Sequence, residues 1–185
     1  MSVNERLVEH LLKHAVRRGE FVLKSGKRSS WFVDAKQTTC RPDGMVLVAD
    51  ALLEVLPKDI SAIGGLTMGA DAVAFGTAAV AATRGRPLRS FSVRKETKGH
   101  GAGGRIAGAL EPGDRVAITE DAVTRGTSMF EAVEAVRAAG AEPVLLVPVV
   151  DRGGMCEAMA EAAGLPFHPL VTAPDLGFPY DRDAS

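Results

Sequence analysis

Residues 115–128 read RVAITEDAVTRGTS, an apolar run that closes on Glu120 and Asp121 and passes through a short loop carrying Thr124, Gly126, Thr127 and Ser128. Placed between a strand and a helix, this order of residue types builds an anion cradle beside two carboxylates. Backbone N–H groups at a helix start have no partner of their own and sit at the positive end of the helix dipole, so a phosphate there gains hydrogen bonds and favourable electrostatics. The hydroxyls of Thr124, Thr127 and Ser128 add donors, and the two acids can accept from vicinal sugar hydroxyls or from metal-bound water. A plainer reading exists. Ser128-Met129-Phe130-Glu131 is also an SxxE capping box, able to start any helix. Capping alone does not need adjacent acids, which repel each other and add nothing to a core. A Walker A loop is excluded because no GK[ST] follows.

Residues 93–104, VRKETKGHGAGG, place Arg94, Lys95, Lys98 and His100 close together and then run into Gly99, Gly101, Gly103 and Gly104. Cations on a glycine-rich segment suit a lid that closes over a polyanion, excludes water and stabilises a leaving charge. The alternative is a solvated surface loop. In FVLKSGKRSSWFVD, residues 21–34, Lys24 accompanies Trp31 and Phe32; the alternative here is an ordinary amphipathic hairpin with an aromatic in the core. Arg152 follows the apolar run VPVV and can grip a carboxylate with two parallel hydrogen bonds, or else pair with the adjacent Asp151. GGLTMGAD, residues 64–71, offers glycines for close approach of a ligand to the backbone.

Alternating elements must position these groups. Leu7, Val8, Leu11, Leu12, Ala15 and Val16 recur at helical spacing and predict a first helix stopped at Gly19. Strand candidates at 20–24 and 31–35 form a hairpin, and Pro42 opens a helix through about Leu56. Beyond Ile60, strands at 60–64, 88–93, 115–119 and 143–150 alternate with helices at 69–83, 127–139 and 154–163. Such alternation predicts an α/β protein with a mostly parallel central sheet flanked by helices. Ligands in these sheets sit at the carboxyl ends of the strands, which selects the loops after residues 64, 93, 119 and 150. The tail PDLGFPYDRDAS is polar and is expected to fray at its end.

Bulk properties narrow the function classes. The 185 residues suit one domain, and 46% apolar with 24% charged residues is a globular mix. A net charge of −1 supplies no overall field for nucleic acid or for an acidic membrane surface, so anion binding must be local. Cys40 and Cys156 lie far apart without metal-ligand spacing, which fits a reducing cytoplasm. The N-terminus has no signal-peptide pattern, and no run approaches the roughly 20 apolar residues of a membrane span.

The acids and loop of 119–128 resemble the phosphoribosyl-diphosphate signature of type I phosphoribosyltransferases, with Glu120 where many members carry aspartate. RKExKxHGxGG resembles the catalytic loop of orotate phosphoribosyltransferases, and FVLKSGKRSSWFVD resembles their N-terminal hood motif. The resemblance runs from residue 21 to Arg152 in matching order. It implies the type I fold with a small hood, formed mainly by residues 1–40, on a core of about 41–172. It also implies transfer of a phosphoribosyl group from 5-phosphoribosyl 1-diphosphate to orotate, giving orotidine 5′-phosphate and diphosphate in pyrimidine biosynthesis.

By the same resemblance, Glu120, Asp121, Lys98 and His100 carry catalysis. The phosphoribosyl diphosphate would meet Lys24, Thr67, Met68, Arg94, Lys95, Lys98, His100 and the run Glu120, Asp121, Ala122, Val123, Thr124, Arg125, Gly126, Thr127 and Ser128. Orotate would meet Lys24, Phe32, Val33, Thr124 and Arg152, the last through its carboxylate. Mg2+ would be held by substrate and water, not directly by protein. A cytoplasmic homodimer with shared active sites, without nucleic-acid or membrane partners, is implied as well. A non-proline cis peptide, frequent in the family, would map to Leu66–Thr67. Met68 stands where some members have lysine, which leaves more of the charge to the lid. Rival readings are transfer to a purine or uracil, a regulatory module that binds phosphoribosyl diphosphate without catalysis, and an orphan anion-binding domain. Arg152, Lys24 and the lid cations speak against them.

Overall fold

The structure, a computed structural model, describes residues 1–22, 26, 28–96 and 104–182. The chain opens with α1 (Val3–His14), then β1 (Val16–Val22) and β2 (Arg28–Val33) pair antiparallel as a separate two-stranded sheet. A short α2 (Lys36–Thr39) and α3 (Pro42–Val55) lead into β3 (Ala62–Leu66), α4 (Gly69–Thr83) and β4 (Arg89–Val93). The second half holds β5 (Ile106–Gly108), β6 (Arg115–Val123), α5 (Thr127–Ala138), β7 (Glu142–Asp151), α6 (Cys156–Ala162), β8 (Val171–Thr172) and a single 3-10 turn at Pro174–Leu176. Among the described residues no helix is long and apolar enough to cross a membrane.

The main sheet has the order β5-β4-β3-β6-β7-β8, and only β5 runs antiparallel to its neighbour. The predicted α/β class with a mostly parallel, helix-flanked sheet is therefore what the chain forms. From β3 the chain moves outward to β4, then returns to β6 on the other side of β3. Adjacent strands leaving in opposite directions open a crevice at their carboxyl ends, where ligands bind in such sheets. Here that crevice lies between the loop after Leu66 and the end of β6.

Alternation along the strands divides the core. Ile63, Ala117, Leu145 and Val147 face one way and pack with residues of α1, α3 and α4, including Leu7, Leu52 and Val73. Ala62, Val116, Ile118 and Leu146 face the other way, against Met129, Val133 and Val136 of α5 and Cys156 of α6. Burying each of the larger side chains, such as Ile63, Leu145, Leu146 and Met129, contributes about 1.5–3 kcal/mol. Trp31 and Val33 of β2 join the first cluster, which fixes the small sheet onto the core.

Several boundaries differ from the sequence expectation. The first helix stops at Ala15, and Gly19 lies inside β1, where the pairing register shifts between Arg18 and Phe21. Its start is held by a capping box in which Ser2 Oγ accepts from Glu5 N (3.2 Å) and Ser2 N donates to Glu5 Oε2 (2.7 Å). The hairpin strands begin earlier than expected, at Val16 and Arg28. β6 continues to Val123 because β7 runs beside it to Asp151, so Glu120 and Asp121 sit within the strand and do not close it. The glycines of β3 serve packing: a Cβ at Gly64 would lie 2.4 Å from Phe91 O, and one at Gly65 would lie 2.2 Å from Thr119 O.

Candidate active site

Glu120 and Asp121 are both buried, at 6% exposure each, although they are adjacent acids. Their immediate neighbours explain how the strand tolerates them. Asp121 Oδ1 accepts from Ala122 N (2.9 Å), and Asp121 Oδ2 accepts from Lys36 Nζ of α2 (2.5 Å). Across the crevice stands Gly69, the first residue of α4. A Cβ there would lie 1.8 Å from Glu120 Oε1 and 2.5 Å from Asp121 Oδ1, so only glycine leaves both carboxylates room against this helix end.

Burial, followed by the charge of Asp121, pushes the Glu120 carboxyl up to about 8, while a hydrogen bond with Ser128 works in the opposite direction. The Lys36 ammonium is held above the ordinary lysine value: burial opposes its charge, but its bond to Asp121 and the nearby acids outweigh that. The acid pair is thus a high-energy arrangement aimed into a crevice, a pattern that concentrates at functional sites.

The loop after β6 leads into the start of α5. Gly126 takes the N-cap position of α5 in a left-handed conformation (φ +82°), and no side chain caps the helix. The first helical bond is Phe130 N to Gly126 O (3.0 Å), which leaves the preceding N–H groups pointing out of the helix start. The helix begins at Thr127, as predicted, so Ser128 lies inside its first turn and the alternative Ser128–Glu131 capping box does not form. Arg125 and Thr127 are exposed, Ala122, Thr124 and Ser128 half-buried, and Val123 buried. Behind the loop, Cys156 packs so closely that a Cβ at Gly126 would lie 2.5 Å from its Sγ. Burial pushes that thiol up to about 12, which makes it packing material and not a nucleophile.

Arg152 emerges after β7, but its carboxylate partner is not Asp151. Asp151 Oδ1 instead accepts from Gly153 N (3.1 Å) and Gly154 N (2.9 Å), turning the chain tightly. The Arg152 Nη2 donates to Ser29 Oγ (3.3 Å), to Trp31 O (3.2 Å) and to Asp181 Oδ2 (3.0 Å). Its guanidinium carbon lies 5.0 Å from the Trp31 ring centre and 5.8 Å from that of Phe32. Trp31 is core, whereas Phe32 is 37% exposed beside the guanidinium. The Val33 side chain is also core, so any contact it makes with a flat ring comes from its backbone.

Met68, 72% exposed, and Thr67 line the crevice in the loop after β3. Thr67 N donates to Val93 O (2.8 Å) and its hydroxyl to Asp71 Oδ2 (2.6 Å). The cis peptide joins Thr67 and Met68, one bond later than the expected Leu66–Thr67.

After β4, Arg94 N donates to Arg105 O (2.7 Å), Arg105 Nε to Arg94 O (2.8 Å), and Arg94 Nη1 to Ile106 O (3.3 Å). These bonds close the base of the cationic segment at the carboxyl end of β4, with Lys95 exposed beside it. Lys24, Lys98 and His100 lie outside the described residues. Sequence reasoning missed Lys36, Asp181 and the role of Gly69, and it missed β5, which is only three residues long. Among the described residues, no group of three or more His, Cys, Asp or Glu side chains could hold a metal ion.

No family model matches the chain. Relatives do. It is 39% identical over 180 residues to an orotate phosphoribosyltransferase of Aquifex aeolicus, covering 95% of this chain and 98% of the relative. It is 41% identical over 178 residues to an orotate phosphoribosyltransferase of Streptomyces coelicolor, covering 95% and 98%. The Mycobacterium tuberculosis orotate phosphoribosyltransferase, solved in complex with 5-phospho-α-D-ribosyl 1-diphosphate, superposes with a TM-score of 0.80 at 32% identity, covering 96% of this chain and 100% of that one. Agreement of this extent, on the type I phosphoribosyltransferase fold and with the acid pair and cradle in place, shows that the chain belongs to the orotate phosphoribosyltransferase family.

Proposed function

We infer that the protein transfers the phosphoribosyl group from 5-phosphoribosyl 1-diphosphate to orotate, releasing diphosphate and forming orotidine 5′-phosphate. The observation that carries this reading is the buried Glu120–Asp121 pair beside the uncapped start of α5, at the crevice between β3 and β6. The helix N–H groups, with Thr124, Thr127 and Ser128, hold the 5-phosphate; Ala122, Val123, Arg125 and Gly126 shape the loop around it. Glu120 and Asp121 accept from the ribose hydroxyls. In the transfer the bond from C1 to the diphosphate oxygen breaks with its electron pair leaving on the diphosphate, a bond from C1 to the pyrimidine N1 forms, and the N1 proton passes to solvent water. The negative charge of the pair, carried by Asp121 where Glu120 keeps its proton, stabilises positive charge developing on the sugar, a preorganised electrostatic contribution.

Lys24, Arg94, Lys95, Lys98 and His100 balance the leaving diphosphate, with Thr67 and Met68 beneath it and Lys98 acting on the departing oxygen. Arg152 takes the orotate carboxylate, Thr124 and Lys24 lie at the base, and Phe32 and Val33 flank the ring. The donor set suits a hard cation reached through water, since the two carboxylates already carry Lys36 and each other. Mg2+ supplies charge neutralisation on the diphosphate when bound, held mainly by substrate and water. The protein works as a cytoplasmic homodimer whose lid serves the neighbouring subunit's site.

The test offers purified protein, magnesium and phosphoribosyl diphosphate to orotate, uracil and adenine, with consumption of each base followed. Orotate alone should be consumed at a substantial rate. Turnover of uracil or adenine without orotate would replace this reading by transfer to another base, and binding of phosphoribosyl diphosphate with no turnover would favour a regulatory module.

A further inference from the structure

The last described residues pack against the part of the site assigned to the base. Phe178 stacks on Trp31 with ring centres 4.6 Å apart and planes 9° apart, and Asp181 N donates to Arg152 O (2.9 Å). A Cβ at Gly154 would lie 2.8 Å from the Tyr180 ring, so the turn after Arg152 and this tail are in close contact. The Asp181 carboxylate, with a side chain only 15% exposed, then meets the Arg152 guanidinium at 3.0 Å. Backbone and side chain of one tail residue therefore hold backbone and side chain of Arg152 together.

All three side-chain bonds that Arg152 makes among the described residues fall on Nη2, while its Nε is buried without a partner. A buried donor left unpaired is costly, about 1–3 kcal/mol, so the side chain is held in place by its Nη2 bonds and not by Nε. Nη2 is the anchor that fixes the plane, with the guanidinium carbon over the rings of Trp31 and Phe32. A bidentate arginine works only when its plane is held, since misplacement by an ångström is expensive in recognition.

We propose that Asp181 is a positioning residue: its carboxylate oxygen, brought in by the stacked C-terminal tail, holds Arg152 in the orientation that receives the carboxylate of the base. The tail thereby contributes to selecting a carboxylated pyrimidine. This rests on reading Arg152 as the partner of the orotate carboxylate, and the experiment separates the two claims.

KM for orotate, KM for phosphoribosyl diphosphate and the melting midpoint are measured for the wild type, Arg152→Ala, Asp181→Ala and Asp181→Asn. Asp181→Ala should raise KM for orotate about tenfold, while KM for phosphoribosyl diphosphate stays within about twofold. Asp181→Asn should remain near wild type, because its Oδ1 accepts the same bond. Should Asp181→Ala fail to fold, Asp181→Glu must show the selective rise, since it keeps the charge but moves the acceptor by one methylene. The proposal is overturned if neither KM moves, if both move equally, or if Asp181→Asn behaves as Asp181→Ala. An unchanged KM for orotate in Arg152→Ala would instead overturn the assignment of Arg152 itself.

Discussion

Glu120 illustrates how one residue sets both stability and function. Its carboxyl is raised from 4.5 to about 8, by burial first and by Asp121 second, so the folded empty protein holds this proton more tightly than the unfolded chain. The stability linked to that proton is fully present below about pH 4.5 and is lost as pH rises towards 8. Glu120→Gln keeps the shape without the charge. It should therefore flatten the decline between pH 5 and pH 9 and raise stability at the upper end by on the order of 2 kcal/mol, several degrees in the melting midpoint. Melting curves across that range check this; parallel curves for the two proteins would contradict the burial of an ionising acid. At this scale the sequence was partly legible. Glu120, Asp121 and the loop hydroxyls are contiguous, so their joint chemistry shows in one line of letters. Lys36 is not, because the carboxylate it meets lies 85 residues away, and no local pattern joins Asp181 to Arg152, 29 residues earlier.

At the scale of elements, the decisive fact is that α4 begins directly over the acid pair. Gly69 leaves room that no other residue does, and a methyl group there must displace the ends of Glu120 and Asp121. Because those ends are side-chain atoms and a first-turn alanine suits a helix, Gly69→Ala should cost less than about 1 kcal/mol of stability. Turnover should nevertheless fall by roughly tenfold or more, through misplaced acceptors. Unfolding titrations and steady-state kinetics on the same preparation decide it, and unaltered turnover would contradict the proposed role of the pair. Element boundaries were legible where apolar periodicity and punctuation agreed, as in α3, which begins at Pro42 as predicted. They failed where a tertiary partner decided: β7 carries β6 past its two acids.

For the whole molecule, the strand order matters more than any single strand. It sends β3 and β6 apart at their carboxyl ends and gathers the acid pair, the start of α5, Thr67 and Met68 around one crevice. The small sheet and the tail then converge on Arg152 at the end of β7. Alternation of strands and helices predicted the parallel sheet, and the loops at its carboxyl ends are the ones that lie around this crevice. The closure of that edge by residues near both ends of the chain is a property of packing, with Trp31 and Phe178 stacked across it, and leaves no trace in periodicity.

The central claim is that the buried acid pair forms the phosphoribosyl site. It is tested most directly by the rate of orotate consumption, with magnesium and saturating phosphoribosyl diphosphate, in the wild type and in Asp121→Asn. The wild type should turn over, and the variant should lose about 100-fold or more in rate while its melting midpoint stays within a few degrees. A variant as active as the wild type, or a wild type that leaves orotate unchanged, would contradict the account.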